Sequence, residues 1–156
     1  QMDQAAFVDY FGAVFEATPA IAQHAWQTRP FADLDDLHQA MVSVVEGLSP
    51  AAQLALIQAH PDLGSRAKMA DASVQEQAGA GLDRLTPAEY DQFQTLNAAY
   101  KAKFGFPFIL AVKGHTQSSI LQSFETRLQN DIPEEIAQAL TEIGQIARFR
   151  LEEWVE

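Results

Sequence analysis

The sequence predicts an all-α protein: a single-domain, compact bundle of about seven to nine helices with one buried extended segment, Phe106 to Val112. Three observations lead there. Over most of the chain, apolar residues recur at three- and four-residue steps, the period of a helix with one buried face. Ser, Thr or Asp precedes these runs, often with a proline next, and glycines follow several of them. The one apolar run without that period carries Pro107 inside it and has no neighbouring run to pair with as a sheet.

The elements follow in order. Phe7, Tyr10, Phe11, Val14 and Phe15 mark a first amphipathic helix. Thr18 as N-cap with Pro19 at the first helical position opens a second, shorter helix through Trp26. Asp33 begins a third, with Leu34, Leu37, Met41, Val44 and Val45 on one face and Gly47 near its end. Ser49-Pro50 repeats the start signal, and the fourth helix runs to His60, where Pro61 disfavours continuation. Ser65 to Gly81 is small and polar and reads as short helices around a turn.

Thr86-Pro87-Ala88-Glu89 is a capping box opening a long helix that ends near Phe104-Gly105. The extended segment comes next, and its backbone N–H and C=O groups must find partners outside a ladder. Two helices close the chain, about Gln117 to Gln129 and Pro133 to Val155.

At 156 residues, 47% apolar and 20% charged, one domain can bury a full core without disulfides or metals. The absence of cysteine removes a disulfide framework, a thiol nucleophile and a redox pair. A net charge of -11 repels phosphate backbones and anionic membranes, so neither nucleic acid nor a membrane is an expected partner. An anionic substrate would need a locally placed cation. No apolar run is long enough to span a bilayer, and no signal-peptide pattern opens the chain. A bacterial cytoplasmic protein is the simplest expectation, and no peroxisomal targeting tripeptide is visible in Trp154-Val155-Glu156.

Ala59-His60-Pro61-Asp62-Leu63-Gly64 is the most informative stretch. It sets a histidine at the last turn of an apolar helix, immediately before a chain reversal. An imidazole there suits proton transfer, since its charge changes between pH 5 and 8. The alternative is a histidine that merely hydrogen-bonds a helix end. In the last helix Ile136, Leu140, Ile143, Ala147 and Trp154 share one stripe at 100° per residue, and Arg150 falls inside it while Arg148 points the opposite way. A guanidinium on that side calls for a carboxylate or a ligand anion, unless its head escapes to water along a packed stem. Ser73-x-x-Glu76-Gln77 is either a capping box or a polar cluster suited to a ureido ligand, with small residues after it leaving room. His24, His38 and His115 show no metal-ligand spacing, and His24 and His38 are expected at the surface.

In order, His60-Pro61-Asp62-Leu63-Gly64, Ser73-x-x-Glu76-Gln77 with Ala80-Gly81-Leu82, Phe104-Gly105-Phe106-Pro107-Phe108-Ile109 and Ile146-Ala147-Arg148-Phe149-Arg150-Leu151 resemble one family over nearly the whole chain. It is the 2-oxo-4-hydroxy-4-carboxy-5-ureidoimidazoline (OHCU) decarboxylase family, which acts last on the route from urate to (S)-allantoin. The resemblance implies an all-helical homodimer that works on a small ureide with no metal and no organic cofactor. It implies His60 as catalytic acid/base, Glu76 as its carboxylate partner and Arg150 as cationic anchor. Pro61, Ser73, Gln77 and the backbone of Ile109 and Leu110 would line the substrate pocket. Two other readings stand beside it: a non-catalytic helical interaction module, and the same scaffold acting on another ureide.

Overall fold

The computed structural model describes residues 3–12, 14–15, 19–60, 78 and 81–154. Among them are seven α-helices and no strand: α1 Gln4–Phe11, α2 Ala20–Ala25, α3 Leu34–Glu46, α4 Pro50–Gln58, α5 Pro87–Phe104, α6 Gln117–Arg127 and α7 Ile132–Trp154. Short 3-10 turns occupy Trp26–Thr28 and Leu82–Arg84.

Helix starts lie where side-chain acceptors meet unpaired N–H groups. Asp33 Oδ1 accepts from the Asp36 N–H at 2.9 Å, and Ser49 Oγ from the Ala52 N–H at 3.2 Å ahead of Pro50. Thr86 and Glu89 cap each other's backbone reciprocally, as the capping box requires. Thr18 lies outside the described residues. Ser49→Ala should cost about 1 kcal/mol, a melting temperature lower by roughly 2–4 °C in a chain of this size, read by calorimetry.

Some ends differ from the sequence reading. The first helix stops at Phe11 rather than including Val14 and Phe15. Gly12 closes it, its N–H 2.7 Å from the Val8 carbonyl; a Cβ there would lie 2.4 Å from that oxygen. Val14 and Phe15 are buried all the same, beyond the helix. α4 ends at Gln58 and leaves His60 in the following turn, its N–H on the Ile57 carbonyl at 3.2 Å. α5 ends where expected, with Gly105 at φ +82°, a left-handed conformation that favours glycine.

α7 packs on both α3 and α4, α2 packs on α1 and α3, and α5 packs on α6. The buried face of α7 carries Glu135, Ala139, Ile143, Ala147, Arg150 and Leu151, while Ile136, Leu140 and Trp154 are half-buried. The inward stripe is therefore turned slightly from the expected one, and Arg150 sits well inside it. The segment from Phe106 to Val112 has no regular structure and is buried throughout. Phe108 stacks on Phe124 at 3.8 Å between ring centroids and meets Tyr100 edge-on at 5.2 Å. His24 is exposed as expected. His38 is not a surface residue: it is half-buried and donates from Nε2 to the Gly144 carbonyl at 2.9 Å, joining α3 to α7.

Candidate active site

His60 is buried, with 8% of its surface exposed. Its Nδ1 lies 3.0 Å from the Leu56 carbonyl oxygen, one helical turn back. A carbonyl oxygen can only accept, so Nδ1 carries the proton and Nε2 is the basic nitrogen of the neutral ring. The hydrogen bond that could have been the residue's whole purpose thus also sets the tautomer. A ring held this way can take a proton at Nε2 and return it.

Arg150 is 2% exposed. Its Nη1 donates to the Val14 carbonyl at 3.2 Å, which ties α7 to the chain beyond α1. Arg148 points the other way, half-exposed, and pairs with Asp35 and Glu152. The opposite directions inferred for these two arginines from helical spacing are what the structure has.

The backbone partners of the extended segment are charged side chains. Arg127 of α6 donates from Nη1 to the Ile109 carbonyl and from Nε to Glu135 Oε1 at 2.8 Å. Glu135 Oε1 also accepts from the Tyr100 hydroxyl, and its Oε2 from Asn130 Nδ2 at 2.8 Å. The Arg127 guanidinium lies 4.3 Å from the centroid of the Phe108 ring. Two residues further along the segment, the Ala111 N–H donates to Glu142 Oε1 at 2.9 Å, and Gln138 Nε2 holds Glu142 Oε2 at 2.8 Å. Arg127 is 7% exposed and Glu135 fully buried, so each charge is compensated by the other rather than by water.

Burial, and next the hydrogen bond to Glu135, push the Tyr100 hydroxyl well above its ordinary value. It remains a neutral donor in the folded state after tyrosines of the unfolded chain begin to ionise near pH 10. Its contribution is therefore present below pH 10 and lost as pH rises further, because only the unfolded chain releases that proton. Tyr100→Phe should cost about 1–2 kcal/mol near neutrality and should flatten the alkaline fall in stability, measured by urea unfolding from pH 8 to pH 11.

Sequence reasoning missed Arg127, Glu135 and Glu142. The first two were within reach: Glu135, Ala139, Ile143 and Ala147 recur at steps of four, and Ile120, Phe124 and Arg127 at four and three. Pro61, Ser73, Glu76 and Gln77 lie outside the described residues. Of the expected site, His60 follows α4 and Arg150 sits on α7, two helices that pack together. Ile109 and Leu110 are buried in the extended segment, and the Ile109 carbonyl already accepts from Arg127. A cavity of about 440 Å³ between α3 and α7, with His38, Val42, Leu140 and Gly144 in its wall, contains none of the expected site residues. Among the described residues, no three His, Asp or Glu side chains converge as metal ligands would.

Comparison with known proteins gives a consistent result. The family model described as OHCU decarboxylase matches residues 1–152. The 2-oxo-4-hydroxy-4-carboxy-5-ureidoimidazoline decarboxylase of Halalkalicoccus jeotgali is 49% identical over 98% of this chain and 87% of its own. The uric acid degradation bifunctional protein of Bacillus subtilis is 46% identical over 97% of this chain but only 31% of its own length. Among solved structures, that of (S)-allantoin synthase superposes with a TM-score of 0.81 at 28% identity, over 99% of this chain and 51% of that one.

Proposed function

Because the chain belongs to the OHCU decarboxylase family, we propose that it removes CO2 from 2-oxo-4-hydroxy-4-carboxy-5-ureidoimidazoline to give (S)-allantoin, closing urate oxidation. The observation that carries the reading to a mechanism is His60, buried after α4 with its proton on Nδ1 and Nε2 left as the basic nitrogen.

The substrate bears a carboxylate and a hydroxyl on one carbon, beside a ring C=N bond. When the C–CO2 bond breaks, its electron pair forms a C=C bond to the neighbouring carbon and the C=N pair moves to nitrogen. One proton from solvent balances the loss of CO2 from a carboxylate. The resulting enol gives up its hydroxyl proton to become a carbonyl, and protonation of the adjacent carbon on one face sets the S centre.

The substrate is its own electron sink, so the chain has to supply orientation, dryness and proton transfer. Arg150 would grip the carboxylate or ureido end and hold the scissile bond perpendicular to the ring. An apolar surround favours a carboxylate leaving as neutral CO2. His60 would take the hydroxyl proton at Nε2, with Glu76 supporting it, and Pro61, Ser73 and Gln77 would complete the walls. The same family membership supports a homodimer, which sedimentation reads directly.

The test generates the unstable substrate from urate in situ and follows the circular dichroism of allantoin. The protein should accelerate decay and bias product to the S form. Spontaneous decay at an unchanged rate to racemic allantoin would refute the assignment.

A further inference from the structure

The extended segment is held at two points by charged groups, Arg127 with its partner Glu135 and Glu142, and the two glutamates stand seven residues apart on one face of α7, which leaves one residue of the segment specially placed. A trans peptide is planar, with its C=O and N–H pointing opposite ways. The Ile109 carbonyl is drawn to Arg127, so the N–H of the same peptide unit, that of Leu110, points away from Arg127. The Ala111 N–H is drawn to Glu142, so the carbonyl of that unit, that of Leu110, points away from Glu142. Neither Leu110 group has a backbone partner among the described residues, although Leu110 is buried. Buried backbone groups ordinarily find a partner, and one donor next to one acceptor matches the N–H and C=O of a ureide.

We propose that Arg127 and Glu142 are positioning residues, which clamp the peptide units on either side of Leu110 so that its N–H and carbonyl are aimed at the ureide of the substrate. The inference rests on the decarboxylase reading and adds two side chains that need not touch substrate. Arg127 is braced for this by Glu135, which Tyr100 and Asn130 hold in turn, and Glu142 by Gln138. Both clamps stand on helices, α6 and α7, so the aim is set by rigid elements rather than by the segment itself.

The experiment measures kcat and KM separately on the whole chain, with the substrate made from urate in situ, and records melting temperatures alongside. Glu142→Leu removes the acceptor of the Ala111 N–H and should raise KM about tenfold with kcat nearly unchanged. Glu142→Gln keeps an oxygen at that place and should recover most of the loss. Arg127→Lys keeps a cation beside Glu135 but cannot serve Glu135 and Ile109 together, and should raise KM in the same sense. If Glu142→Leu does not fold, Arg127→Lys decides. A KM within twofold of the parent in the folded variants would overturn the proposal. So would Glu142→Gln being as impaired as Glu142→Leu, since the charge and not the acceptor would then matter. A parent protein with no activity would remove the decarboxylase reading itself, and the inference with it; an active parent with unaffected variants removes the inference alone.

Discussion

His60→Ala and His60→Asn should each lower kcat/KM for OHCU decarboxylation by about 10²–10⁴-fold, the usual worth of a positioned acid/base group. The melting temperature should move by only a few degrees, since one hydrogen bond near a helix end is worth about 1 kcal/mol. The two purposes open to this histidine predict opposite patterns. A residue that only satisfies the Leu56 carbonyl would cost stability and leave turnover of the folded enzyme alone. A residue whose Nδ1–H···O=C bond serves to present Nε2 would cost turnover first. Asn is the sharper variant, because it keeps a polar group of similar reach and removes only the capacity to cycle a proton. The rates at saturating substrate decide, and an Asn variant retaining more than a tenth of kcat would exclude His60 as the acid/base. Loss of stereochemical bias alone would point instead to a role in the final protonation.

The helical period and the capping residues carried most of this fold in the sequence. Asp33, Ser49 and Thr86 each cap the helix they were expected to start. What the sequence did not carry was local closure that depends on neighbours in space. α1 stops at Phe11 although Val14 and Phe15 keep the apolar spacing, because spacing records burial and not hydrogen bonding. His38 was misjudged for a related reason: a polar-looking helix face conceals an acceptor on α7, 106 residues away, that no local pattern announces. The site divides along the same line. His60 and Arg150 were legible because proline, glycine and a 3.6-residue period single out positions individually. The Arg127–Glu135 pair is a relation between two helices: spacing sets each residue on a buried face, but neither helix alone says which charge answers the other. The partners of the extended segment, required by the chemistry of a buried backbone, were foreseen as a need but not by name.

Arg150→Lys should lower kcat/KM by about 10²-fold or more, the cost expected when a buried charged contact to a ligand is broken. The two cations carry the same charge, so the prediction is about shape. Arg150 holds the Val14 carbonyl with Nη1 while other N–H groups of the same planar fork face elsewhere; a lysine has one nitrogen and must choose. Placed 2% exposed on α7, that nitrogen also bears a larger desolvation cost than a delocalised guanidinium. If it keeps Val14, the substrate loses its anchor and kcat/KM falls with little change in melting temperature. If it turns to the substrate, the tie between α7 and the chain beyond α1 is lost, and stability falls while binding is partly kept. Arg150→Met separates these terms, since it fills the volume and serves neither partner. A lysine variant with unaltered kcat/KM would show that Arg150 holds the fold at Val14 and nothing in the substrate. A loss that grows steeply as added salt screens the reaction would place the contact at the solvent edge, contrary to the burial seen here.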